Sequence, residues 1–265
     1  MPELPEVETV TRSIAPLVGR RIVAAEFRCL RVLRGGDPDE MAAALEGRRI
    51  AGVRRYGKFI VVSVQGGGYL LIHLGMTGRL LLGGAPGKHT HAILTLDRGG
   101  VLLYDDSRQF GRLQYSRGFP QRIEKLGPEP LEIAFDEFAT ALRRRKTRIK
   151  ALLLNQDFLR GLGNIYADEA LFRAGIHPLA IASRIRGERA TKLHRAIAAV
   201  LTEAIAAGGS SISDYVDAQG RMGFFQFSHR VYQRTGQACV NCGAPIRRIL
   251  VAQRSSHFCP RCQKR

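Results

Sequence analysis

The chain has 265 residues, 45% of them hydrophobic, and its 41 Lys and Arg against 23 Asp and Glu give a formal charge of +18. That length suits about two compact domains, and that charge concentrates polyanions at the surface, nucleic acid before anionic membrane. A membrane anchor is excluded as a reading, because the sequence has no apolar run of about 18 residues and no basic amphipathic stretch. The opening residues Met1 to Val10 are acidic and carry two prolines, unlike a signal peptide, so a cytoplasmic protein is expected.

After Pro5, the residues Val7, Val10, Ile14 and Leu17 recur at helical spacing, with Glu6 and Glu8 in the favourable first turn. A helix is predicted to run to about Val18. From Arg21 to about Tyr115 short apolar runs broken by glycine follow: 22–27, 59–64, 69–74, 92–96 and 101–104. They predict a mostly antiparallel sheet system, with a hairpin turn at Asp97-Arg98-Gly99-Gly100. Gly127-Pro128-Glu129-Pro130 breaks the pattern and marks a domain boundary. Helices are predicted over 135–145, 147–154, 165–174 and 190–207, and the small, polar stretch from Gly208 to Gly223 reads as a long loop of the kind that carries function.

Four of the five cysteines are spaced Cys239-x2-Cys242-x16-Cys259-x2-Cys262, a pair of knuckles that can place four thiolates tetrahedrally on one Zn2+. Four thiolates fill the coordination sphere and leave no place for a reacting water, so the metal is expected to be structural. Ile246, Ile249, Leu250 and Val251 suit a small β-hairpin between the knuckles. Arg247, Arg248, Arg254, Arg261, Lys264 and Arg265 surround them and could follow a phosphate backbone or form a solvated basic face. The fifth, Cys29, reads as a small buried residue.

At the other end, Met1-Pro2-Glu3-Leu4-Pro5-Glu6 is either a plain helix lead-in or a nucleophile. Removal of Met1 would leave Pro2 with a free secondary amine. An α-amino group titrates near ~7.7–8.0 against ~10.4 for lysine, so roughly one in ten is unprotonated at pH 7 against about one in two thousand lysines. Attack on a sugar C1′ gives an iminium that acidifies the adjacent carbon and drives elimination, and Glu3 stands next to it as general acid and base.

With these residues assembled, the chain closely resembles the formamidopyrimidine-DNA glycosylase family along essentially its whole length. The resemblance rests on Pro2 to Thr9, His73-Leu74-Gly75-Met76-Thr77-Gly78, Lys88-His89-Thr90-His91, Gly161-Leu162-Gly163-Asn164-Ile165-Tyr166-Ala167, Gly175-Ile176-His177-Pro178 and the four-cysteine finger. It implies an α+β, multidomain protein: an N-terminal β-sandwich over residues 1–130, a helix-two-turn-helix domain over 131–222 and a zinc finger over 223–265. It also implies excision of oxidised purines from double-stranded DNA by a monomeric, nucleoid-associated enzyme that needs no catalytic metal.

Residue by residue, it makes Pro2 the Schiff-base nucleophile, Glu3 the proton donor and Lys58 the lysine of β-elimination, although a phosphate-facing role fits Lys58 equally. Arg254 matches the arginine of δ-elimination at the finger tip or, as readily, a phosphate contact. His89, Arg108 and Lys146 match DNA contacts. Met76, Arg108 and Phe110 match the trio that fills the gap left by an extruded base, whereas without the resemblance Met76 and Phe110 would read as core. Asn164 reads as a phosphate contact at a helix start or as a plain cap, with Lys150 joining that site beside the run Arg143 to Lys146.

Ser107 and Gln109 stand where relatives have proline and arginine, which touches opposite-base preference. Gln233 stands where glycine is common. The alternatives are a sister enzyme for oxidised pyrimidines, against which Leu4 argues, and a catalytically silent DNA-binding protein, which would have no use for Pro2 followed by Glu3.

Overall fold

The computed structural model describes residues 1–212 and 214–265, so that Ser213, inside the 208–223 stretch, lies outside the described residues. The chain forms two compact units, one of Met1–Lys125 with Ala207–Phe224 and the other of Leu126–Ala206 with Phe225–Arg265.

In the first unit, helix α1 (Leu4–Ile14) begins with a reciprocal capping box in which the Glu3 amide donates to Glu6 Oε2 at 2.8 Å. Val7, Val10 and Ile14 recur on one face and are buried, each contributing about 1.5–3 kcal/mol by leaving water. The helix stops four residues short of Val18: Pro16 has no N–H to continue the ladder, and Ala15–Leu17 tighten into a 3-10 turn.

The strands are β1 (Ile22–Phe27), β2 (Ile50–Tyr56), β3 (Phe59–Val64), β4 (Tyr69–His73), β5 (Gly78–Leu82), β6 (Thr90–Leu96), β7 (Gly100–Asp106) and β8 (Arg112–Ser116), with helix α2 (Pro38–Leu45) after β1. They form two antiparallel four-stranded sheets, in the orders β1-β6-β7-β5 and β2-β3-β4-β8. The apolar faces of both sheets, with Phe27, Leu80, Leu94, Leu102, Ile60, Val62, Leu70 and Ile72 among them, share one core with α1 and α2. This is the expected sandwich. The expected hairpin turn joins β6 to β7, with Arg98 at φ 57° and Gly99 at φ 75°.

Three strands and a helix escape the apolar-run pattern. Strands β2 and β8 are polar on one face, β5 is short, and α2 begins at an Asp37-Pro38 cap whose carboxylate accepts the amides of Asp39 and Glu40. Residues 207–224 complete the unit. Leu82 of edge strand β5 donates to the Ala218 carbonyl at 2.8 Å, and the Asp217 carboxylate accepts the amides of Gln219 and Arg221, both at 2.9 Å.

After the short α3 (Gln121–Glu124), the second unit carries α4 (Phe135–Arg143), α5 (Ile149–Leu154), α6 (Asn164–Arg173) and α7 (Glu188–Ala206), close to the predicted ranges. The hairpin of β9 (Arg247–Val251) and β10 (Arg254–Phe258) turns through Ala252 and Gln253, both left-handed at φ 49° and 58°. Ile246, Ala244 and Val231 pack with Phe172 of α6 and the cysteines in a second core.

Candidate functional site

The first unit holds the N-terminal group. Pro2 is buried and Glu3 is 3% exposed at the start of α1, while Met1 is 54% exposed. The capping box that fixes Glu3 extends further: the other oxygen of Glu6, Oε1, accepts the amide of Ser210 at 2.7 Å, and the Tyr215 hydroxyl donates to the carbonyls of Glu6 at 3.2 Å and Gly208 at 3.0 Å. A Cβ on Gly209 would stand 2.8 Å from Glu6 Oε1, so the close approach of this loop to α1 needs glycine there.

Lys58 follows Gly57 in the two-residue turn between β2 and β3 and is 8% exposed. Arg55, three residues earlier on β2, donates to Glu8 of α1 at 2.7 Å, which ties the strand to the helix that Pro2 and Glu3 lead into. His73, cross-strand from Phe59, lies within electrostatic reach of Lys58. Burial holds its imidazole down to about 4, and the charges of Lys58, Arg122 and Arg112 add to the effect.

Met76, Arg108 and Phe110 are brought together on two loops packed backbone to backbone. A Cβ on Gly75 would lie 2.5 Å from the Gly111 nitrogen and 2.5 Å from the Phe110 carbonyl carbon. The fully buried Asp106 organises the pair: its carboxylate accepts the Thr77 and Tyr104 hydroxyls and the amides of Arg108 (3.3 Å) and Gly111 (2.7 Å). Out of that base the Arg108 guanidinium stacks 4.6 Å from the Phe110 ring centroid, with Phe110 45% and Met76 37% exposed. Exposed apolar side chains on a braced base do not form core. Gln109 is left-handed at φ 56°. His89 is exposed on the loop before β6.

In the second unit, Asn164 and Arg254 line one open cavity of about 510 Å³ together with Tyr232, Gln233, Thr235, Arg248, Gln253, Ser255 and His257. Asn164 is the first residue of α6, and its Oδ1 is buried without a hydrogen-bond partner among the described residues. Lys150 does not stand beside it as an exposed contact. It is fully buried, paired with Asp168, and its Nζ donates to the Asn164 carbonyl at 3.2 Å, so it braces the cavity wall from behind. The second oxygen of Asp168 accepts the amide of His257 at 2.9 Å, which fastens β10 to α6. Lys146 is exposed and is not among the lining residues.

Sequence reasoning passed over Asp106, Asp168, Glu169, Tyr232 and His257. Glu169 accepts the amides of Arg230, Val231 and Tyr232 at 2.9–3.0 Å, and burial pushes its carboxyl above the usual range against those bonds. The available signal was adjacent acids inside an apolar helix, Ala167-Asp168-Glu169-Ala170, since buried carboxylates require partners.

The sulfur atoms of Cys239, Cys242, Cys259 and Cys262 lie within 4.8 Å of one another. Cys239 and Cys262 Sγ are 3.8 Å apart, Cys242 and Cys259 Sγ 3.4 Å. Tetrahedral Zn–S bonds of ~2.3 Å require about 3.8 Å between sulfurs, so the set fits one structural Zn2+. Such an ion would be held by these four thiolates and would staple the β9-β10 hairpin; amides of Asn241 and Cys262 already point at Cys239 and Cys259 Sγ.

No helix among the described residues is long and apolar enough to cross a membrane. Three family models match the chain: the formamidopyrimidine-DNA glycosylase N-terminal domain over residues 1–113, the H2TH domain of the same glycosylase over 126–216, and a zinc finger found in FPG and IleRS over 236–265. The chain is 74% identical over 265 residues to the formamidopyrimidine-DNA glycosylase of Solibacter usitatus and 46% identical over 277 to that of Heliobacterium modesticaldum, covering all of each. Its structure is similar to the MutM (FPG) protein of Thermus thermophilus (TM-score 0.89, 44% identity, covering 99% of this chain and 98% of that one). It is similar also to a Lactococcus lactis FPG mutant in complex with a Fapy-dG containing DNA (TM-score 0.92, 36% identity, all of both chains).

Proposed function

The chain belongs to the formamidopyrimidine-DNA glycosylase family, DNA glycosylases of base excision repair in which AP lyase activity is typical, and from that premise we propose how its own residues act. The substrate is an oxidised purine, 8-oxoguanine or a formamidopyrimidine, in double-stranded DNA. With Met1 removed, the Pro2 nitrogen attacks C1′ of the extruded nucleotide and the base leaves with a proton from Glu3. The C1′–O4′ bond of the resulting aminal then breaks, with O4′ taking a proton, to give the ring-opened iminium; this loses a C2′ proton as the 3′ C–O bond breaks, and a second elimination releases the 5′ phosphate. Lys58 assists the first elimination and Arg254 the second.

Support comes from the burial of Pro2 and Glu3 at a braced helix start, where an amine is shielded from water. The observation that carries the reading is the exposed trio on the Asp106-braced loops. Phe110 and Met76 are shaped to fill the gap while Arg108 pairs with the orphaned base. Asn164 and Arg254 hold backbone phosphates, His89 and Lys146 extend the contact, and the Val216 to Phe225 loop covers the flipped base. The enzyme acts as a monomer in the cytoplasm, on nucleoid DNA.

Borohydride reduction with a duplex carrying 8-oxoguanine opposite cytosine tests this. A covalent adduct that is lost in Pro2→Gly is expected. Undiminished strand nicking with no trappable adduct would remove the Schiff-base route, and faster excision of thymine glycol than of 8-oxoguanine would reassign the substrate.

A further inference from the structure

The cavity shared by Asn164 and Arg254 contains a residue that its backbone does not favour. Val231 to Arg234 form a turn closed by the Arg234 amide on the Val231 carbonyl at 3.1 Å, and Gln233 occupies its third position at φ 59°. A turn of this kind calls for glycine there, because an L side chain in the left-handed region crowds its own backbone. The turn cannot relax away from that geometry. The amides of Arg230, Val231 and Tyr232 are all clamped by the buried Glu169 carboxylate, and Val231 is itself fully buried in the core beneath the zinc cysteines. Strain held in place by its surroundings marks positions where the side chain is wanted.

The Gln233 side chain is exposed, has no hydrogen-bond partner among the described residues, and faces the same cavity as two arginines, Arg248 and Arg254. Neither Asp nor Glu lines that cavity, so its chemistry accepts an anion. We propose that Gln233 is a DNA-contacting residue, whose carboxamide N–H donates to a backbone phosphate oxygen of the damaged strand seated against Arg254 and Asn164. The inference rests on reading this cavity as the phosphate site. A neutral amide adds directional grip without adding to the ionic attraction that the arginines already supply.

Three variants of the full-length, zinc-loaded protein test it, with a duplex carrying a tetrahydrofuran abasic analogue as the probe. Gln233→Gly relieves the backbone and is expected to raise Tm by about 2–4 °C while weakening binding about three- to tenfold. Gln233→Ala keeps the left-handed constraint, so it should lose the same affinity with no gain in Tm. Gln233→Glu turns an amide into a negative charge and should lose more, most steeply at low salt.

Binding by the glycine and alanine variants equal to the parent's overturns the proposal, since the glutamine would then be tolerated and not used. Weakening in glycine but not in alanine also overturns it, because loop ordering would then account for the loss. Arg254→Ala separates the two layers: if it leaves affinity unchanged, the cavity is not a phosphate site and the underlying reading fails, whereas a loss in Arg254→Ala alone removes only the role of Gln233.

Discussion

Asp106 shows how much one buried carboxylate can organise. Four donors converge on it from two loops and strand β7, and of the four the Arg108 amide also reaches a second acceptor, Thr77 Oγ1 at 3.2 Å. Asp106→Ala strands those donors in a dry environment and is expected to cost about 3 kcal/mol of stability, with base extrusion lost first because Arg108 and Phe110 are carried on that loop. Equilibrium urea unfolding measures the first, and excision from duplex against single-stranded DNA the second. Two histidines set the acid limit. Burial holds both His73 and His229 at about 4, while unfolded imidazoles titrate near ~6.5. Between those values the unfolded chain binds protons that the folded one refuses, so stability falls as pH drops through that window and is unaffected above it. The expected loss by pH 4.5 is on the order of 2 kcal/mol for each. His73→Asn should flatten its half of the decline, and parallel unfolding profiles for parent and variant would contradict the assignment.

At the scale of elements, the Gly75 and Gly111 loops are the tightest construction in the first unit. Gly75 is left-handed at φ 65°, and a methyl there would meet backbone atoms that cannot swing aside. Gly75→Ala is therefore expected to destabilise the protein by about 3 kcal/mol and to displace the Phe110 loop; a lowered Tm with weakened duplex binding would be the sign. The same comparison explains what was legible beforehand. Strands β3, β4 and β6 were readable because both their faces are largely buried, and α6 and α7 because their apolar period is long. Strand β2 was not, since Arg54 and Arg55 occupy positions that one-dimensional hydropathy assigns to a loop, although Arg55 is buried against Glu8. The four cysteines could be picked out directly because their motif is local, and the proposed pair Pro2-Glu3 is legible for the same reason. Asp106, Asp168 and Glu169 act on partners far away in sequence, and Lys150 looked like a phosphate ligand because nothing nearby announced its pairing with Asp168, eighteen residues on.

For the whole molecule, a charge of +18 makes long-range attraction to DNA strong and salt-sensitive, and the second unit depends on a metal for its hairpin. Raising salt from 50 to 200 mM should weaken binding by about a thousandfold if six phosphates are neutralised. Chelation of zinc should abolish binding and strand cleavage together, because the four thiolates share a core with Val231 and Phe172 beneath the Tyr232-Gln233 turn; full activity in the zinc-free protein would break that link. The central claim is that the chemistry begins at the chain's own second residue. Its most direct test is mass mapping of the borohydride-reduced adduct after nuclease and tryptic digestion. The account predicts that the deoxyribose remnant lies on the peptide ending at Arg12, attached to Pro2, with Met1 gone. Attachment to a lysine peptide such as that containing Lys58, or retention of Met1 on the cross-linked chain, would contradict it.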